Sequence, residues 1–201
     1  MIKAVIFDFG GVILNMKPLL VQTKKIFQIS DGHKLWETIN TEAVPLCKGK
    51  ITLLQCFRNV GKKLKKKVFY ENLNDLWIRD YEKFTSVDKN MKKLIALLKK
   101  NYKLAIVSNT IKEHTKVNKR LGRFDKLFDA VILSHEVGLT KAGKEIFLLA
   151  TKNLNVKPKE CIFIDDTERF LRVAGSLGIK TVHFKSPAQL RKDLKSLGLI
   201  F

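Results

Sequence analysis

Two adjacent carboxylates, Asp165 and Asp166, close an apolar run in this chain, and a third, Asp8, closes another. Like charges so close repel unless a cation or a partner compensates them. Two further polar positions follow apolar runs: Ser108 with Asn109 comes after residues 103–107, and Lys141 stands a short loop after residues 130–133. Taken singly, an aspartate or serine in such a place is more often a turn residue or helix cap, and a lone lysine is usually a surface charge. Taken together, carboxylates, a hydroxyl and an ammonium suit a hard cation and a phosphate, because magnesium prefers oxygen ligands and leaves positions for phosphate oxygens.

The intervening pattern must bring these residues to one place. Residues 3–7 read as a buried strand that enters a loop at Gly10-Gly11. From 87 onward the pattern alternates. A helix carries Val87, Met91, Leu94, Ile95 and Leu98, a strand spans 103–107, and a helix runs to Leu121. Strands at 130–133, 161–164 and 181–184 alternate with helices around 145–154 and 168–177. Ser186-Pro187 starts a last helix with Leu190, Leu194 and Leu197 on its apolar face. The expectation is an α/β, Rossmann-like three-layer core with a parallel sheet of about five strands. Ligands of such sheets sit beyond the carboxyl ends of the strands, where all four polar positions would meet. Residues 18–84 instead show helical period without a convincing strand. Inside them Thr52 and Gln55 have capping-box spacing, which starts a helix near Leu53.

A chain of 201 residues with 45% hydrophobic composition can bury a core of its own. Its apolar runs are far shorter than the roughly 20 residues a bilayer span needs, so no membrane crossing is expected. No signal-peptide pattern precedes Asp8, which makes the cytoplasm the default location. Cys47, Cys56 and Cys161 have neither disulfide-frame nor zinc spacing and read as buried or inert thiols. His33, His114, His135 and His183 show no metal-ligand spacing and read as surface or satisfied histidines. The net charge of +20 attracts anions without choosing among them. Lysines cluster at 62–67 and 89–100, but they also spread along the whole chain, without an RNP-type motif, so a solvated surface is favoured over nucleic-acid binding. Trp36, Phe57, Phe69 and Trp77 suit a core of the helical segment better than a substrate pocket.

The phrase Val5-Ile6-Phe7-Asp8-Phe9-Gly10-Gly11-Val12 resembles the first motif of the haloacid dehalogenase superfamily, and Ile106-Val107-Ser108-Asn109 resembles its second. Glu136-Val137-Gly138-Leu139-Thr140-Lys141, with Glu145-Ile146-Phe147, is similar to the third, and Phe163-Ile164-Asp165-Asp166 to the fourth. Lys48-Gly49-Lys50-Ile51-Thr52 with Phe57 resembles a segment of the helical caps that one subgroup inserts between its first two motifs. Four motifs in order, across nearly the whole chain, make the resemblance specific. It implies a core at residues 1–14 and 87–201 and a helical cap at 15–86. It also implies a phosphatase acting on a small phosphorylated metabolite, with Asp8 as nucleophile and an aspartyl-phosphate intermediate. Mg²⁺ would be held by Asp8, the Gly10 carbonyl, Asp165 and Asp166. Ser108 and Asn109 would bind the phosphoryl group, and Lys141 would neutralise the charge that develops on it.

One position departs from the pattern. Two residues after the nucleophile many such phosphatases carry a second aspartate as general acid and base, and this chain has Gly10. Three other readings stay open, a phosphotransferase among them. A haloacid dehalogenase proper uses the same aspartate on carbon, without metal, but gains nothing from Asp165 and Asp166. A noncatalytic basic protein that binds nucleic acid or protein would account for Gly10 and the net charge.

Overall fold

The computed structural model describes residues 1–16, 20–66, 71–122 and 127–201. Strand β1 (Ala4–Phe7) leads through a tight loop to β2 (Leu14–Met16). Four helices follow, α1 (Leu20–Phe27), α2 (Gly32–Cys47), α3 (Leu53–Leu64) and α4 (Leu73–Phe84), and then β3 (Thr85–Val87). The rest alternates: α5 (Lys89–Leu98), β4 (Lys103–Ser108), α6 (Lys112–Gly122), β5 (Ala130–Leu133), α7 (Ser134–Val137), α8 (Glu145–Asn153), β6 (Cys161–Asp165), α9 (Glu168–Gly175), β7 (Lys180–His183) and α10 (Pro187–Ser196).

Five strands form one parallel sheet in the order β5-β4-β1-β6-β7. The inner strands β4, β1 and β6 are covered on both faces, which is why they read as continuous apolar runs rather than alternating ones. Successive side chains still point to opposite faces. Val5, Phe7, Leu104 and Ile106 pack with Met91, Leu94, Ile95 and Leu98 of α5 and Leu190 and Leu194 of α10. Ala4, Ile6, Ala105, Val107 and Phe163 pack with Ile146 and Phe147 of α8 and Leu171 and Ala174 of α9. The chain works outward from β1 through β4 to β5, then crosses back to β6 and β7 on the other side. The direction of winding reverses beside β1, the place where open sheets of this kind leave a crevice for ligands.

Helices α1 to α4 gather a third cluster around Phe27, Leu35, Leu53, Phe57 and Leu73, with Trp77 packed against it and Ile111 joining from the loop after β4. The Phe27 and Phe57 rings stack at 5.4 Å. Trp36 does not take part: it is 55% exposed on α2, contrary to the core position expected for it. Phe69 lies outside the described residues. The Thr52–Gln55 capping box forms as its spacing predicts, with both bonds made at the start of α3. Ser186 and Gln189 make another around Pro187 at the start of α10.

Two features differ from the sequence expectation. Val87 is not helical; it pairs with Leu14 in an antiparallel β2–β3 ribbon through which the chain enters and leaves the four helices. Asp88 then caps α5 by accepting from the amides of Asn90 and Met91. The last strand is Lys180–His183, one residue earlier than expected. Among the described residues no helix is long and apolar enough to cross a membrane.

Candidate active site

Asp8 follows β1, and its amide donates to Ile164 O at 2.8 Å, which extends the sheet ladder up to the Asp8 carboxylate. The loop that follows folds back on itself: Ile13 N and Leu14 N both donate to Phe9 O, and Gly11 N donates to Leu14 O. Gly11 sits at φ +87°, and a Cβ there would fall onto Asp166 Oδ2. Only glycine therefore lets the Asp166 carboxylate lean over this loop.

Asp8, Asp165 and Asp166 each place a carboxylate oxygen so that the three lie within 4.8 Å of one another. The Lys141 ammonium sits 2.7 Å from Asp8 Oδ1 and 2.6 Å from Asp165 Oδ2. It is 2% exposed, and its Nζ also lies 4.7 Å from the centroid of the Phe170 ring. The Lys141 backbone is positioned too, because its amide donates to Asn109 Oδ1 at 2.9 Å. Asp165 is fully buried, with its second oxygen accepting from Thr167 N at 2.7 Å. Asp166 accepts from the Thr167 hydroxyl at 3.1 Å and faces the cavity.

Burial dominates the electrostatics. It pushes Asp8 up to about 7, opposed by Lys141 and reinforced by the Asp165 charge. Asp165 is raised by burial as well, against the pull of Lys141. Burial would lower Lys141, but the Asp8 and Asp165 carboxylates outweigh it and hold the ammonium above its ordinary value. Three carboxylates against one cation leave an excess of negative charge, with Asp8 and Asp165 buried and Asp166 exposed beside them. Their donor set, all oxygen and clustered, fits a divalent hard cation such as magnesium, which would relieve that excess.

One cavity of about 230 Å³ gathers Asp8, Gly10, Ser108, Asn109, Lys141 and Asp166. Asp165 stands behind it, locked to Lys141. The sequence reading thus named residues that the fold brings together. Asn109 is partly spoken for, since its oxygen holds the Lys141 amide and only its amide nitrogen is left for a phosphoryl oxygen. Not anticipated were Tyr81 from α4, His114 and Asn118 from α6, and Phe170 from α9, which complete the wall. Also missed was Ser134, whose hydroxyl accepts from Thr110 N and donates to Thr110 O, fastening the loop after β4. The thiols are as inert as expected: burial pushes Cys47 to about 11 and Cys56 and Cys161 to about 12.

The family model for haloacid dehalogenase-like hydrolases matches residues 2–176. The chain belongs to that family. Among haloacid dehalogenase-like relatives, D-ribitol-5-phosphate phosphatase of Bacteroides thetaiotaomicron is 27% identical over 207 residues, covering 96% of this chain and 97% of that protein. A phosphorylated carbohydrates phosphatase of Thermotoga maritima is 24% identical, over 90% of this chain and 84% of its own. A haloacid dehalogenase-family enzyme of B. thetaiotaomicron, solved in complex with magnesium and inorganic phosphate, superposes with a TM-score of 0.74 at 27% identity over 92% of this chain and 95% of that one.

Proposed function

We propose that this chain is a magnesium-dependent phosphatase that hydrolyses a small phosphorylated metabolite through an aspartyl-phosphate on Asp8. The observation that carries this reading is the Lys141 ammonium bridging Asp8 and Asp165 at one end of a cavity that also holds Ser108, Asn109 and Asp166. The clustered Asp165 and Asp166 carboxylates suit a metal-assisted attack on phosphorus better than a metal-free attack on the carbon of an organic acid, which gains nothing from them. Phosphatase names among the relatives and the magnesium and phosphate in a structural neighbour support it.

In this reading an Asp8 oxygen attacks phosphorus in line with the ester oxygen, the P–O bond to the leaving group breaks, and a phosphoryl group remains on Asp8. Water then attacks phosphorus, the bond to Asp8 breaks, and inorganic phosphate departs. Ser108 and the Asn109 amide nitrogen hydrogen-bond phosphoryl oxygens, and Lys141 neutralises the charge that grows on them. Asp8, the Gly10 carbonyl, Asp165 and Asp166 would hold Mg²⁺, which supplies positive charge between the anionic nucleophile and the anionic substrate. With glycine at position 10, the leaving oxygen takes its proton from solvent, so turnover is slower by about 10²- to 10⁴-fold than with a positioned acid. Residues 1–14 and 87–201 act as the core and 15–86 as a cap over the cavity, with the β2–β3 ribbon at the junction.

Hydrolysis of p-nitrophenyl phosphate with Mg²⁺ and with EDTA, in the wild type and Asp8→Asn, tests the reading. Release that requires the metal and vanishes in Asp8→Asn is expected; near-normal turnover in Asp8→Asn would refute it.

A further inference from the structure

Helices α4 and α6 meet beside the cavity with two side chains each, Trp77 and Tyr81 from α4, and His114 and Asn118 from α6. Residues four apart share one helix face. Two hydrogen bonds join the pairs, and α4 donates both: Trp77 Nε1 to His114 Nε2 at 2.9 Å, and the Tyr81 hydroxyl to Asn118 Oδ1 at 3.0 Å. The imidazole lies parallel to both rings, its centroid 3.8 Å from that of Tyr81 and 6.0 Å from that of Trp77.

The donor directions fix what is left over. An indole nitrogen can only donate, so His114 Nε2 is the bare nitrogen and the neutral ring carries its proton on Nδ1. Burial keeps the ring neutral by pushing His114 down to about 3, with His135 adding to the effect. The Asn118 oxygen is likewise occupied, which leaves its amide hydrogens. Tyr81 is spent: besides donating to Asn118 it is hydrogen-bonded by Thr85, and burial pushes it up to about 12. Among the described residues, His114 Nδ1 and Asn118 Nδ2 have no partner, and neither is a sealed-off buried atom. Both residues line the same cavity as Asp8. The α4 donors thus consume the acceptors of α6 and leave its donors as the unspent groups of two residues that line the cavity of Asp8.

We propose that His114 Nδ1–H and Asn118 Nδ2–H form the leaving-group subsite of the Asp8 cavity. They donate to hydroxyl or carbonyl oxygens of a monophosphate whose leaving group is a short, uncharged polyol or sugar. Charge sets the class: Lys141 is the one cation among the described lining residues and is already held by two carboxylates, so a second phosphate or a carboxylate on the leaving group meets no counter-charge. Size agrees, because about 230 Å³ falls below the roughly 300–1,000 Å³ of ordinary small-molecule pockets. Trp77 is a positioning residue in this scheme, setting the tautomer without touching substrate.

This proposal rests on the phosphatase reading and deepens it. The test compares kcat/KM for ribose 5-phosphate with that for phenyl phosphate, whose leaving group carries no hydroxyl to bind. His114→Leu is expected to lower the ratio by about tenfold, the worth of one buried hydrogen bond. His114→Asn, which keeps a donor near Nδ1, should recover part of it, and Trp77→Phe should lower it less. Nitrogen NMR of the wild type should find the His114 proton on Nδ1. The wild type should also prefer ribose 5-phosphate to fructose 1,6-bisphosphate. Equal losses on both monophosphates in His114→Leu, or a proton on Nε2, would overturn the subsite. Failure of the wild type to hydrolyse any of these esters would instead overturn the phosphatase reading and take the subsite with it.

Discussion

Replacing Lys141 with Met keeps the bulk of the stem and removes the charge that bridges Asp8 and Asp165. Both carboxylates are buried, so the variant leaves them without their shared cation where little solvent compensates them. Breaking a buried ion pair by deleting one partner costs about 3–5 kcal/mol, which for a chain of this size is about 6–20 °C in Tm. The pH dependence has a definite sign. Without Lys141 the folded-state proton affinities of Asp8 and Asp165, already raised by burial, rise further. A group whose folded pKa is raised is stable while protonated and loses that stability as pH rises through the folded value. The deficit should therefore be small at pH 5.5 and large at pH 8. Mg²⁺ should restore part of it, because it compensates the same carboxylates. Thermal unfolding of both proteins at the two pH values, with EDTA and with Mg²⁺, reads all of this. Phosphatase turnover should also drop by about 100-fold or more. A Tm within about 2 °C of wild type at pH 8 in EDTA would refute the electrostatic argument.

Gly11→Ala places a methyl group against Asp166 Oδ2 at a positive φ and should cost about 1–2 kcal/mol in stability. It should also weaken Mg²⁺ binding, measured by calorimetric titration, because Asp166 must move. Glu42 on α2 accepts from Lys63 at 2.6 Å and Asn59 at 2.8 Å on α3, and these bonds, the Lys63 one foremost, hold its carboxyl below the ordinary value. A depressed folded pKa gives stability that is present above the unfolded value and lost as pH falls through the folded one. Glu42→Gln should accordingly lower Tm at pH 7, with a difference that fades as pH drops below about 4.

Much of this architecture could be read from the sequence because β1, β4 and β6 are apolar runs that lead into a polar residue. Asp8, Ser108 and Asp165 mark the carboxyl ends of β1, β4 and β6, and parallel strands bring those ends to one rim whatever the loops do. Helix starts at Thr52 and Ser186 were equally legible, since a capping box is a local bargain between residues three apart. The β2–β3 ribbon was not. Three residues a side carry too little alternation, and Val87 fits the helical period of α5 while its pairing with Leu14 bridges more than seventy positions. The wall made by Tyr81, His114 and Asn118 was hidden for the same reason. Each residue lies on an amphipathic helix, and only the packing of α4 on α6 shows that His114 is a satisfied histidine whose partner is Trp77. Trp36 erred in the other direction, because an apolar residue at helical spacing need not face inward.

In the proposed mechanism Asp8 carries the phosphoryl group between the two half-reactions. Rapid acid quench of wild-type enzyme during turnover of ribose 5-phosphate with Mg²⁺, followed by peptide mass mapping, tests it most directly. The expected result is the mass of one phosphoryl group on Asp8, absent in EDTA and in Asp8→Asn. Steady phosphate release with an unmodified Asp8, or with the phosphoryl group on another side chain, would contradict it.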